Sequence, residues 1–181
     1  MATIDVSELE GWRRLCAAAP ERSTDALTRA VNDAGNAART QVVRTLGRHM
    51  GLPYSKVRES LTIRPAGREP VYEINSVGGY LSLQSFGAEQ RRAGVSARPW
   101  GHRRVFRGTF MIRSLGGQVF RRTTRARFPI VKLWGPAMPQ EMVRGAVPGA
   151  FEAAVKERLP TRLAHHLERL FPAQFAGDPQ G

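Results

Sequence analysis

Cysteine, lysine and acidic side chains are scarce in this sequence, and each shortage excludes something. The one cysteine, Cys16, can neither form an intrachain disulfide nor build a cysteine zinc site. It reads most simply as a small, partly buried side chain of a helix folded under reducing conditions. No apolar run approaches the ~20 residues that span a bilayer. The opening MATIDVSELEGW lacks the basic and apolar regions of a secretory signal. Folding in a cytoplasm, with no membrane partner, is the expectation.

Catalytic patterns are missing as well. Between residues 61 and 128 the only acids are Glu69, Glu73 and Glu89, without the paired-carboxylate or H-x-x-x-H spacing of a hydrolytic metal centre. Neither a G-x-S-x-G elbow nor a G-x-x-x-x-G-K phosphate loop occurs. His165 and His166 are adjacent, so on a helix they diverge by about 100° and do not share a metal. His102, beside Arg103 and Arg104, reads as a loop histidine. The expectation is no enzyme, no metal and no cofactor; a nuclease is a third reading, weak for want of carboxylates.

What the sequence does hold is arginine. The 28 cations outnumber 15 acids for a net charge of +13, and lysine stands only at positions 56, 132 and 156. The two ends are nearly balanced, whereas residues 61–128 carry 13 cations against 3 acids. From 88 to 127 the arginines are dense and Glu89 is the one acid. Such a field binds polyanions through phosphate neutralisation and counterion release. Planar guanidinium groups equally suit acidic patches on protein neighbours. The candidate DNA- or partner-binding residues are Arg91, Arg92, Arg98, Arg103, Arg104, Arg107, Arg121, Arg122 and Arg125. Phe106, Phe110 and Phe120 interleave with them in strand alternation, which favours core packing over base stacking.

Along the 181 residues, taken as a single domain, SELEGWRRLCAAA predicts a helical extension within 1–22 that ends at Pro20. Ser23, Thr24 and Asp25 offer N-caps for a long helix within 23–60. Its inward stripe runs Leu27, Val31, Ala34, Ala38, Val42, Leu46 and His49. Arg29, Asn36, Arg44 and Arg48 lie off that stripe. Gly47 and Gly51-Leu52-Pro53 stop the helix, and PYSKVRESL adds two turns. From 61 to 134 the period changes to that of strands: LTIRPA, PVYEINS, YLSLQSFG, VFRGTFMIRS, QVFRRTT and RFPIVKLW. Ser114-Leu115-Gly116-Gly117 is the strongest hairpin signal. The polar, glycine-rich stretch 87–104 reads as an extended Arg-rich loop, an arm that orders on a partner. RFPIVKLWGPAMPQ reads as a last strand that Gly135-Pro136 ends before a C-terminal helix over 148–171. Pro160 predicts a kink or two short helices there, and 172–181 a frayed tail. The fold class is α+β: a mostly antiparallel sheet flanked by a long N-terminal and a C-terminal helix.

The order of these segments resembles a known family. A helix ALTRAVNDAGNAARTQVVRTLG leads to GLPYSKVRESLTIR, then LSLQSFGAEQRRAGVSARPWG, a GTFMIRS strand, VFRRTT and RFPIVKLWGPAMPQ. This is similar to the prophage minor tail protein Z family, tail completion proteins of long-tailed phages. The likeness covers roughly residues 24–141. Its most specific parts are F-G-A…G-V-S-A-R at 86–98 and P-I-x-K-L-x-G-P-x-x-P at 129–139. The resemblance implies a structural virion protein at the head-proximal end of the tail, assembled in the host bacterial cytoplasm. It implies a homo-oligomeric ring in the DNA path, often sixfold, touching the tail terminator, tail tube or head-tail connector. On that reading the arginines face genomic DNA in the lumen or clasp neighbouring tail subunits. The alternative from another class is a standalone, sequence-nonspecific DNA-binding protein of a prophage.

Overall fold

The computed structural model describes residues 20–170. The expected N-terminal extension, Cys16 and the C-terminal tail lie outside the described residues. Helices α1 (Pro20–Met50) and α2 (Tyr54–Glu59) precede strands β1 (Leu61–Arg64) to β10 (Trp134–Ala137), and α3 (Met138–Met142) and α4 (Val147–Leu170) close the chain. Every strand pair with a defined register is antiparallel. The expected α+β class is therefore observed. Among the described residues no helix is long and apolar enough to cross a membrane.

Two compact units divide these residues. The first comprises 20–38, 63–73 and 152–170, and the second 39–62 and 74–151. In the first, Ala26, Ala30, Ala34, Ala38, Ala66, Ala154 and Leu167 are buried. The inward stripe thus runs one position ahead of the expected Leu27 and Val31, which are only half-buried. Alanine allows the closer approach, so the small residues take the contact line and the larger ones flank it. Asn32 uses its side chain as a strand would use its backbone: Nδ2 donates to Ala66 O at 3.0 Å and Oδ1 accepts from Ala66 N at 2.8 Å. Gly35 lies under the Tyr72 ring, leaving no room for a Cβ. His166 Nε2 meets Asp33 Oδ2 at 3.0 Å, which gives that histidine a packing role.

The sequence misplaces three boundaries in the helices. Ser23, Thr24 and Asp25 are inside α1, which already includes Pro20. Proline is tolerated in a first helical turn, where its missing N–H has no helical acceptor. Gly47 also lies within the helix, and the stop falls at Gly51, whose φ of 75° is left-handed. Pro160 is inside a single 24-residue α4 rather than between two helices.

The second unit holds the larger core, with Val43, Leu46, Met50, Val57, Leu83, Phe86, Val95, Val119 and Val147 nearly inaccessible. The SLGG turn appears as expected: β7 (Thr109–Ile112) and β8 (Gln118–Arg122) form a hairpin, with Gly116 and Gly117 both at positive φ. Strand β9 (Ile130–Lys132) completes that sheet.

Elsewhere the strand assignments change. Residues 87–104 are no extended arm: β4 (Glu89–Arg91) and β5 (Gly94–Ala97) make a hairpin, and β6 (Arg104–Arg107) pairs on the other side of β5. All four residues of β5 are buried. A run as polar as GVSA reaches the interior because Gly94 and Ser96 are small and Val95 and Ala97 supply the apolar face. VFRGTFMIRS is two strands of two sheets, divided at Gly108 with φ 68°. The corner is fixed by Thr109, whose Oγ1 donates to Phe106 O at 2.6 Å and accepts from Val95 N at 3.0 Å. In YLSLQSFG only β3 (Tyr80–Ser82) is a strand, and Leu83–Phe86 is a 3-10 turn.

Gly135-Pro136 does not end a strand; it lies within β10, which pairs with β3 through an irregular register between Trp134 and Ala137. Proline has no N–H to give to a ladder, so the pairing is interrupted there. Gly135 is pressed onto the Phe86 ring, where a side chain would collide.

Candidate cationic surface

All nine candidate arginines belong to the second unit and all are exposed, yet they do not form one ribbon. Strand alternation and register distribute them. On β4–β5–β6, Arg91 stands across from Gly94, which stands across from Arg107. Glu89, Ser96, Val105 and Arg103 share the parity of that face. Glu89 ion-pairs with Arg91 and approaches Arg103 at 3.8 Å. Arg103 also donates to Ser96 Oγ at 3.2 Å, which anchors its guanidinium over the sheet. Arg92 occupies the turn between β4 and β5.

Arg104 has the opposite parity. Its guanidinium lies 5.5 Å from the Trp100 ring centroid and 4.8 Å from that of Phe106, so, although exposed, it rests against two aromatic rings. Arg122 similarly covers Phe110 at 4.8 Å. Phe106 packs against the core as expected. Phe110 and Phe120 lie opposite one another in the register, on the reverse side of β8 from core Val119, with ring centroids 6.5 Å apart. Lys132 shares their parity and sits 3.9 Å from the Trp134 ring.

Arg121, opposite Thr109 and Val131, carries the other face of β8 beyond the core. Arg125 is in the bend after β8, and Arg98 precedes the 3-10 turn Pro99–Gly101. Arg92, Arg98, Arg107, Arg121 and Arg125 have no ion-pair or ring partner among the described residues. An arginine without an internal anion keeps its full charge-assisted bonding capacity for an external one.

A second constellation escaped sequence reasoning. Glu141 of α3 is 6% exposed. Its carboxylate meets His49 Nε2 at 2.7 Å and accepts from Trp100 Nε1 at 3.4 Å. Trp100, at φ 55°, is the one non-glycine residue with positive φ among the described residues. These contacts tie the end of α1, the turn after β5 and α3 together. Residues 49, 100 and 141 are too far apart in sequence for any spacing rule to join them. Replacing Glu141 by alanine strips both donors of their acceptor and should cost about 1–3 kcal/mol, measured as a lower urea midpoint; a midpoint equal to wild type would refute the role.

Among the described residues there is no group of three or more His, Cys, Asp or Glu side chains able to hold a metal ion. Comparison of the chain with protein-family models, with curated proteins and with solved structures found no match in any of the three.

Proposed function

We propose that this chain is a structural virion protein, a tail completion or neck subunit at the head-proximal end of a long-tailed phage tail. On this reading it forms a homo-oligomeric ring around the DNA path and touches terminator, tube or connector proteins. The observation that carries the proposal is the cationic surface of the second unit, with five of nine candidate arginines lacking an internal partner. Such a surface favours a large polyanionic or acidic neighbour.

The resemblance supplies the virion context, and its two most specific segments have an architectural character here. F-G-A…G-V-S-A-R contains the wholly buried β5, and the P-I-x-K-L-x-G-P-x-x-P segment contains buried Gly135, Pro136, Ala137 and Met138. Motifs of this kind set a shape that presents the arginines; they do not perform chemistry.

The second reading, a standalone DNA-binding protein, is favoured by the same charge. Duplex titration at several salt concentrations, together with mass spectrometry of purified particles, separates the two. The virion reading expects the protein in particles at fixed stoichiometry. Tight, steeply salt-dependent duplex binding by a protein never found in particles would overturn it.

A further inference from the structure

The end of α1 lines a cleft with two arginines from outside the arginine-rich middle of the sequence. Arg44 and Arg48 are four residues apart and project from the same side of the helix, one turn from each other. With Arg98 and Tyr54 they line an open cleft of about 430 Å³ within the second unit. No acidic side chain lines it. The three guanidinium groups have no ion-pair partner among the described residues.

The floor of the cleft is bare backbone at Gly47 and Gly51. At Gly51 the left-handed φ and the closeness of the Arg98 carbonyl and of Gly101 N exclude any side chain. The Gly47 carbonyl, which would otherwise repel an anion, accepts hydrogen bonds from Gly51 N and Leu52 N, both at 2.9 Å. The walls are therefore cationic, and the glycines of the floor let the 98–101 backbone pack directly onto Gly51.

We infer that this cleft binds a phosphate group. Three guanidinium forks and a phenol hydroxyl offer more donors than one carboxylate can accept, whereas a phosphate presents several charged oxygens to several forks at once. The ligand is either a phosphodiester of a nucleic-acid backbone or a free phosphate. The inference stands on this geometry and shares only Arg98 with the surface that carries the virion reading, so either can fail alone.

The test is calorimetric titration of the full chain with inorganic phosphate, repeated in the presence of a short DNA duplex. Phosphate should bind saturably, and acetate at equal concentration should not compete. Arg44→Ala with Arg48→Ala should weaken phosphate by about tenfold or more, on the scale of lost charged hydrogen bonds. Tyr54→Phe, which removes one hydroxyl only, should weaken it by a smaller factor with an unchanged melting curve. Arg113→Ala with Arg144→Ala, exposed and outside the cleft lining, should bind phosphate as wild type does. Displacement of phosphate by the duplex identifies the phosphodiester as the source, and its retention identifies free phosphate. The inference is overturned if wild type does not bind, if the Arg44/Arg48 variant binds equally well, or if the Arg113/Arg144 variant loses as much.

Discussion

Replacing Gly94 by alanine is expected to lower the stability of the fold by about 3 kcal/mol or more. Two independent costs combine at this position. Its φ of 143° belongs to a backbone region that side-chain-bearing residues rarely adopt. An added Cβ would also fall on the Phe106 carbonyl oxygen, with Phe106 C at 3.0 Å. Those are backbone atoms of the paired strand β6, so no rotamer change relieves the collision. Because β5 is the central strand of its sheet and is buried along its length, the damage reaches the core residues Val95 and Ala97. Thermal unfolding checks this directly. A melting point equal to wild type would mean that β5 does not pair with β6 as described.

The second large effect concerns association, with the fold left intact. On the proposed virion role, reversing Arg92, Arg107 and Arg121 to glutamate together should block particle assembly while leaving the urea midpoint within about 0.5 kcal/mol of wild type. All three are exposed and lack partners among the described residues, so their replacement empties no internal contact. Toward an anionic neighbour each change turns attraction into repulsion, and like-charge juxtaposition costs several kcal/mol. The infectious titre should therefore fall by about a hundredfold or more. Arg104 is deliberately spared. It lies between Trp100 and Phe106, and its loss would confuse packing with charge. A normal titre from the triple variant would remove this surface from the account.

The sequence made the broad architecture legible where local physics decides it. Helical periodicity located α1 and α4, and the Gly116-Gly117 pair located the β7–β8 hairpin. Failures came where a distant part of the chain decides. GVSA looks too polar for a core strand until β4 and β6 flank it. Gly135-Pro136 looks like a terminator until β3 and the Phe86 ring meet it. The alanine side of α1 was misjudged by one position because hydrophobicity ranks Leu27 and Val31 above Ala26 and Ala30, whereas close approach ranks them in reverse. For the candidate site, the identity of the arginines was legible but their division among faces was not. That division depends on register, and moving one strand by a single residue exchanges its faces. The Arg44–Arg48 spacing was visible, but its convergence with Arg98 and Tyr54 needed the fold.

The central claim is that the chain completes a virion and does not act alone on DNA. Electron microscopy of lysates from a phage genome with this reading frame deleted, with and without the protein supplied in trans, tests it most directly. The account predicts full heads and separate tails that fail to join, with joined particles restored by the supplied protein. Normally joined, infectious particles in its complete absence would contradict it.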